Sequence, residues 1–337
     1  MSQRAGMVIV GGGLAGAKAA QALRGQGYDG PVALIGDEPL RPCQRPPLSK
    51  EYLQGKAAGD VLFVHPEAWY RTHGVDLRLS TPASAIDRDL RRVEGSARTR
   101  AAPRSAARVV VVGAGWIGLE AAAAARVAGA QVTLVESAQL PLLHALGTEI
   151  ARVFAAVHRA HRVDLRLGVE VAEIAGTGHG AAKVHLTDRA VLDADAVTVG
   201  IGAAPDTALA VGLMVEDGVV ADASLQTGDP DIYAAGDVAH ALHPLHARHI
   251  RVEHWPPRYQ SAVAARAMLG DGAAVYDRVP IFYSAQYELA MEVSGYIEPS
   301  GYDTVIVRGN PHRSRTGSSR FISAWTGGHE RQRPPHR

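Results

Sequence analysis

The sequence predicts an α/β fold in which parallel strands alternate with helices. Two segments, 7–38 and 108–136, carry this prediction. In each, a short apolar strand runs into a glycine-rich turn and then a helix, and a second apolar strand follows that ends near acidic residues. Repeated strand–turn–helix–strand units are typical of Rossmann-like dinucleotide-binding domains. We therefore expect two such domains in one chain.

The second segment is the clearer of the two. The valines 109–112 suit a buried parallel strand, and a G-x-G-x-x-G pattern occupies 113–118. An alanine-rich run of good helix formers comes next, and the following strand ends on Glu136. A pyrophosphate would lie on the free N–H groups at the helix start, while Glu136 would accept from a ribose and repel the extra phosphate of NADP. The alternative is a buried strand–turn–helix without a ligand.

The first segment repeats this pattern. Strand 7–10 leads into Gly11-Gly-Gly-Leu-Ala-Gly16, a helix is expected to about Gly25, and strand 31–35 precedes Asp37. Two fingerprints imply two nucleotides on one protein. The economical pair is a flavin dinucleotide and a nicotinamide dinucleotide.

A third motif lies at 227–238, where a short apolar strand is expected to end on Gly236-Asp237. Glycine would let a ribityl chain approach the backbone closely, and the Asp237 carboxylate could accept from a ribityl hydroxyl. Alone, a Gly-Asp pair is only a turn. The preceding T-x-D-P-D-I-Y-A-A run makes it a candidate flavin contact.

Composition sets broad limits. A chain of 337 residues with 47% hydrophobic and 20% charged residues suggests an ordinary globular protein of about two to three domains. A formal net charge of +1 gives no general reason to expect nucleic acid. One cysteine, Cys43, excludes an intrachain disulfide and fits a reducing, cytoplasmic setting. We expect no membrane association, because the apolar run 109–125 is short and broken by glycines.

Together these motifs resemble the ferredoxin-reductase-type pyridine-nucleotide flavoproteins, the rubredoxin and putidaredoxin reductase-like group. The resemblance covers most of 6–310 and rests on 11–16, 45–50, 113–120, 200–202, 227–238 and 252–255. It implies two three-layer ββα Rossmann-like domains and a truncated α+β C-terminal domain. The implied FAD-binding domain comprises 1–107 and 218–275, the NAD-binding domain 108–217, and the C-terminal interface domain 276–337.

The resemblance also implies an activity and a set of site residues. Hydride would pass from NADH to FAD, and single electrons to a ferredoxin or rubredoxin, in a monomer or homodimer. The implied catalytic residues are Lys50 beside the flavin ring, Glu120 near the nicotinamide, and Trp255. The implied FAD contacts are Gly11, Gly13, Leu14, Ala15, Gly16, Asp37, Arg45, Lys50, Ala83, Gly236 and Asp237. The implied NAD contacts are Gly113, Gly115, Trp116, Ile117, Gly118, Glu136 and Gly202.

Each catalytic residue also has a plainer interpretation. Lys50 could belong to a solvated basic loop, and Trp255 could be a surface aromatic that anchors a loop. Glu120 could simply complement the helix dipole in the first turn. Cys43 offers another chemistry, since an NADH oxidase or peroxidase would use a low-pKa thiolate facing the flavin. Its neighbours match the reductase pattern, which favours an incidental thiol.

Two further clusters invite interpretation. Histidines recur at every third position from His240 to His249, but Pro244 interrupts any helix that would align them, and we expect a solvated loop without a metal. Arginines 88, 91, 92, 98, 100, 104 and 108 could attract an acidic ferredoxin or simply form a solvated linker.

The chain also departs from the family pattern. Gly11 and Gly113 are closer in sequence than the family requires, and 94–107 contains no apolar strand and is interpreted as a linker. Residues 326–337 are rich in Gly, Arg, Pro and His, where relatives complete a hairpin. We therefore expect an internal deletion and an altered C-terminus, which leaves open a remnant that only binds a dinucleotide.

Overall fold

The structure, a computed structural model, describes residues 6–45, 47, 59–88, 92–95, 107–176, 182–210, 212–253, 257–296, 304–308 and 322–326. The chain divides into two compact units. The first comprises 1–104, 203–283 and 292–295, and the second comprises 105–202, 284–291 and 296–337. Each unit therefore takes more than one segment of the chain. The predicted bounds of three domains remain a prediction.

Helices and strands alternate along much of the described chain. The helices are α1 Leu14–Gly25, α2 Glu67–Thr72, α3 Trp116–Val127, α4 Leu143–Ala160 and α5 Pro257–Met268, with a short 3-10 helix at Gly59–Leu62. The first ten strands are β1 Met7–Val10, β2 Val32–Ile35, β3 Val75–Arg78, β4 Ala83–Asp87, β5 Arg92–Gly95, β6 Arg108–Val112, β7 Gln131–Glu136, β8 Asp164–Leu167, β9 Val171–Gly176 and β10 Ala182–Leu186. The others are β11 Val191–Ala194, β12 Ala196–Val199, β13 Val215–Glu216, β14 Gly218–Ala221, β15 Ala239–His243, β16 Arg248–Arg251, β17 Ile281–Gln286, β18 Leu289–Ser294, β19 Thr304–Arg308 and β20 Ile322–Thr326.

The second unit has the predicted three layers. Its central sheet is parallel, with strand order β12-β6-β7-β8. Helix α3 packs on this sheet and buries Leu119 and Ala122 completely. The antiparallel sheet β11-β10-β9 contributes Val184 to a core shared with Val110 and Val135 of the parallel sheet. Since β6 has a partner on each side, it is an inner strand of its sheet.

The first unit starts with a parallel sheet of order β1-β2-β3. Leu23 of α1, Leu34 of β2 and Ala265 of α5 share one core, so the two helices pack together against the sheet. A second sheet has the order β13-β14-β15-β16, and β4 pairs antiparallel with β5. Among the described strands, β1 pairs with β2 alone, and Val8 and Val10 are 44% and 38% exposed.

The remaining strands form two-stranded sheets. β17 pairs with β18, and the residues of both are divided between the two units. β19 pairs with β20, which is the strand predicted around Trp325. The predicted linker 94–107 lies mostly outside the described residues, apart from the end of β5 and residue 107. Within the described ranges, no helix is both long and apolar enough to cross a membrane.

Candidate dinucleotide sites

The glycine loop of the second unit joins β6 to α3. Gly113 has φ +95°, a conformation that favours glycine. A Cβ added to Gly118 would collide with the carbonyl oxygen of Gly113. The helix can therefore start directly behind the strand only with glycine at both places, which presents the first N–H groups of α3 at the sheet edge. The helix begins at Trp116, earlier than the predicted alanine-rich run.

Glu136 closes this loop from the next strand. One carboxylate oxygen accepts from the backbone N–H of Ala114 at 2.6 Å, and the other accepts from Ala138 at 2.8 Å. The acid predicted to bind a ribose thus lies against the glycine turn. Its carboxylate also holds that turn in place, a role that the motif alone does not reveal.

Apolar side chains surround the same loop. Ile117 is 64% exposed at the start of α3, and Ile201 is 76% exposed just after β12. Trp116 is half-buried, with its ring edge-on to Phe154 at 6.4 Å between centroids. Gly202 has φ +114° and continues the loop after β12. Exposed apolar groups next to donor N–H groups suit a planar ring with a polar tail.

The glycine loop of the first unit has the same construction. A Cβ added to Gly16 would collide with the carbonyl oxygen of Gly11, just as a Cβ added to Gly118 would collide with that of Gly113. Gly236 approaches this loop so closely that its own added Cβ would lie 2.9 Å from the Ala15 side chain. Two motifs far apart in sequence, the first glycine loop and the Gly-Asp pair, therefore form one site.

Helix α5 holds these motifs together. The side-chain oxygen of Gln260 accepts from the N–H of Gly236 at 2.6 Å, and the Ser261 hydroxyl donates to the carbonyl of Ala15 at 2.8 Å. Both side chains are completely buried. Sequence reasoning missed them, although two adjacent polar residues just ahead of the small apolar residues of this helix were an available signal.

Asp237 follows in a turn, so the prediction that a strand ends on it is wrong. The segment before it makes a single β-bridge, between Gln226 and Tyr233, because no described strand pairs with the rest. Desolvation and the nearby Glu253 carboxylate, opposed by Arg251, together raise the pKa of Asp237 to about 6. A hydroxyl donor placed there would relieve the cost of keeping this carboxylate ionised.

The other predicted flavin contacts lie in several places. Arg45 pairs with Glu38, next to the predicted ribose ligand Asp37, which is exposed. Ala83 begins β4 and is half-buried. Gly11, Gly13 and Leu14 lie in or next to the loop described above. Lys50 and Trp255 lie outside the described residues, and their roles remain predictions.

Glu120 is 5% exposed and is the fifth residue of α3, so the interpretation as a first-turn dipole partner is wrong. Its carboxylate accepts from the Ser284 hydroxyl at 2.7 Å. This hydroxyl partner comes from a distant strand, β17.

The alternative chemistries gain little from the geometry. Cys43 is buried, and its backbone bridges to Phe63. The histidines lie on the β15–β16 hairpin and its turn, not in a solvated loop, because His243 packs completely buried. Their rings meet in two pairs, 240 with 249 and 243 with 246, and not around a common point.

The first and last arginines of the basic run, Arg88 and Arg108, each form an ion pair. Arg88 pairs with Asp229 at 2.7 Å and donates to the carbonyl of Gly212, both within the first unit. Arg108 pairs with Asp195 at 2.9 Å within the second. These two arginines stabilise the fold, so attraction of an acidic partner would rest on the others.

Comparison with known proteins gives a consistent answer. The model of the family described as pyridine nucleotide-disulphide oxidoreductase matches residues 6–102 and 95–268. Rhodocoxin reductase of Rhodococcus erythropolis is 36% identical over 346 residues, which cover 90% of this chain and 81% of the relative. Putidaredoxin reductase of Pseudomonas putida is 33% identical, covering 92% of this chain and 84% of the relative. The crystal structure of a covalent putidaredoxin reductase–putidaredoxin complex matches with a TM-score of 0.85 and 32% identity, over 95% of this chain and 87% of that one.

These matches also bear on the expected deletion. The alignment to rhodocoxin reductase spans 346 residues, although it includes only 90% of the 337 residues of this chain. The alignment is therefore longer than the part of the chain that it contains. The relative therefore carries internal sequence that this chain lacks. The two family-model matches meet at 95–102, within the predicted linker. By motif, fold and similarity, the chain belongs to the pyridine nucleotide-disulphide oxidoreductase family.

Proposed function

We propose that this chain is an FAD-dependent NADH reductase of a small iron–sulfur carrier, a ferredoxin or rubredoxin, in an oxygenase system. The observation that carries the proposal is the pair of glycine loops, each closed by a glycine whose added Cβ would strike the carbonyl of the first glycine. The relatives named as rhodocoxin and putidaredoxin reductases support it. The single cysteine fits a reducing, cytoplasmic setting.

The residues present fit the two cofactors. In the first unit, the N–H groups of α1 and the carboxylate of Asp237 would hold the pyrophosphate and ribityl chain of FAD. In the second, α3 and Glu136 would hold the pyrophosphate and adenosine ribose of NADH, and Ile117 would cover a ring. Bound flavin would supply the conversion of a hydride into single electrons. The protein orients both molecules and sets the charge around them.

Lys50 and Glu120 are the proposed catalytic residues. A cation at Lys50 would stabilise negative charge on the reduced flavin, and Trp255 would shield the ring. This proposal includes three domains: an FAD-binding domain of 1–107 and 218–275, an NAD-binding domain of 108–217 and an interface domain from 276. It includes no nucleic acid partner.

The test is to purify the protein with FAD and add NADH without oxygen. A yellow protein with a flavin absorption band that NADH bleaches, and that then reduces a [2Fe–2S] ferredoxin or a rubredoxin, is the expected result. NADPH should bleach it more slowly. Cys43→Ser should leave turnover unchanged, since the thiol is buried; loss of activity would point to the oxidase or peroxidase instead.

A second candidate is a remnant that binds a dinucleotide without turnover. The exposed face of β1, in a unit that contains the predicted flavin site, favours it. A colourless protein that still binds NADH would support the remnant and contradict the reductase.

A further inference from the structure

Four buried polar side chains of the second unit form an unbroken series of hydrogen bonds. The Ser284 hydroxyl donates to Glu120 at 2.7 Å, and the Gln286 amide donates to the Ser284 oxygen at 3.1 Å. Nε2 of His158 lies 2.8 Å from the Gln286 side-chain oxygen. All four residues are at most 5% exposed. We call this series of Glu120, Ser284, Gln286 and His158 the Glu120 chain.

The charge on Glu120 fixes the direction of every bond in the Glu120 chain. An ionised carboxylate only accepts, so the single Ser284 proton must point to it, and the Ser284 oxygen must then accept from the Gln286 amide. The Gln286 oxygen is left to accept from His158, which must carry its proton on Nε2. All three donors point toward Glu120, an arrangement in which each bond polarises the next.

The opposite direction would need a protonated Glu120 that donates to Ser284. Ser284 would then donate to the side-chain oxygen of a flipped Gln286 amide, whose N–H would donate to Nε2 of His158. The histidine proton would move to Nδ1, which has no partner among the described residues. The tautomer of His158 therefore reports the direction in which the hydrogen bonds of the Glu120 chain run.

The Glu120 chain orients charge but does not conduct protons. The amide of Gln286 lies in the middle, and an amide cannot pass on a proton without becoming a high-energy imidic acid. Desolvation lowers the pKa of His158, with His161 acting in the same direction and the Gln286 bond opposing both. The histidine is thus kept neutral and serves as the last donor.

Few titratable groups surround the far end of the Glu120 chain. Tyr287 lies edge-on to His158 at 5.3 Å and stacks on His161 at 3.6 Å, and burial raises the pKa of Tyr287 to about 12. His161 lies 3.3 Å from Glu288. The positive charge of Arg126, on α3, lowers the pKa of Tyr287 and so opposes the effect of burial.

We propose that Ser284 and Gln286, backed by His158, are positioning residues that hold the Glu120 carboxylate in one orientation for the nicotinamide. The assignment rests on the proposed function, because the proposed function supplies the nicotinamide. A buried carboxylate without directed donors would turn toward another partner or take up a proton.

The first experiment reads the tautomer of His158 by nitrogen-15 NMR of histidine-labelled protein at pH 7, assigned with His158→Gln. The expected wild-type signal is the neutral Nε2–H form. Ser284→Ala should give a mixed or Nδ1–H signal, and Ser284→Thr, which keeps the hydroxyl, should return the wild-type pattern. A wild-type Nδ1–H or cationic signal, or an Ala variant identical to wild type, would overturn the proposal.

The second experiment measures flavin reduction by NADH in rapid mixing. Ser284→Ala and Gln286→Met should each slow the limiting rate about tenfold with little change in NADH affinity. Ser284→Thr should restore the rate. Unchanged rates beside an altered tautomer would make the Glu120 chain structural only. If NADH fails to bleach wild-type flavin, the proposed function fails, while the NMR result still decides whether the Glu120 chain exists.

Discussion

The two glycine loops are built alike, yet the strands that lead into them differ. When Gly11 is matched to Gly113, Val8 corresponds to Val110 and Val10 to Val112. Val110 is 2% exposed and lies in a core with the antiparallel sheet, whereas Val8 is 44% exposed. β6 has a strand on each side, and β1 has one in the part of the chain that the structure describes.

The difference shows that the residues that form a glycine loop are not the residues that cover and flank its strand. Strand, turn and helix suffice to form the loop, because the collision of Gly16 or Gly118 with the first glycine is a short-range constraint. The covering layer and the second neighbouring strand come from elsewhere in the chain. The two family-model matches overlap at 95–102, and we infer that the relative's extra internal sequence belongs there, next to the first unit.

The sharpest test of this comparison is Gly118→Ala against Gly16→Ala. Both add a Cβ that collides with a carbonyl, but β6 is held on both sides and cannot yield. We expect Gly118→Ala to lower the free energy of unfolding by about 3 kcal/mol and to abolish NADH binding, and Gly16→Ala to cost about 1 kcal/mol. Urea unfolding and NADH titration measure both. Equal losses would mean that the two loops are equally rigid.

Restoring the missing support should strengthen flavin binding. A copy in which the corresponding segment of rhodocoxin reductase replaces 94–107 would give β1 a second neighbour and satisfy its open backbone groups. We expect FAD to bind about thirtyfold more tightly, equivalent to roughly 2 kcal/mol. Fluorescence titration with FAD compares the two proteins. Equal affinities would show that the first unit does not need the segment.

A matched pair of valines tests the exposed face directly. Val110→Thr places a hydroxyl in a closed core and should cost about 1.5 kcal/mol of unfolding free energy. Val8→Thr places it at a surface and should change stability by less than about 0.5 kcal/mol. If denaturant unfolding gives Val8→Thr the larger cost, β1 is covered after all.

The smallest effect is expected at Asp237. Its pKa rises from 3.8 to about 6 on folding, so its protonation stabilises the folded state below pH 3.8, and this contribution disappears as pH rises through 6. Asp237→Asn removes the ionisation cost and should raise the melting temperature of the flavin-free protein by on the order of 1 °C at pH 7.5. Thermal scans should show this gain in melting temperature at pH 7.5 and a smaller gain at pH 3.5, and the affinity of the variant for FAD should fall. A larger gain at pH 3.5 would contradict the assignment.

Sequence reasoning worked where the determinants are local. The β6–α3–β7 unit follows from valine and glycine positions, and α1 ends at Gly25 as predicted. It could not find Ser284 beside Glu120, because 164 positions separate them and neither lies in a periodic pattern that points to the other. The prediction of a strand before Asp237 was wrong for a related reason. A strand forms only beside a second strand, and its own residues do not specify that neighbour.

The placement of Ser284 and Gln286 on β17 has a consequence for biosynthesis. Most of the second unit is translated before residue 203, but its buried carboxylate acquires this hydroxyl partner only when 284–291 has left the ribosome. During translation of some eighty residues, Glu120 therefore lacks this hydroxyl donor while the core around it is unfinished. Nascent chains stopped before β17 should accordingly be more sensitive to proteases around α3 than the released protein.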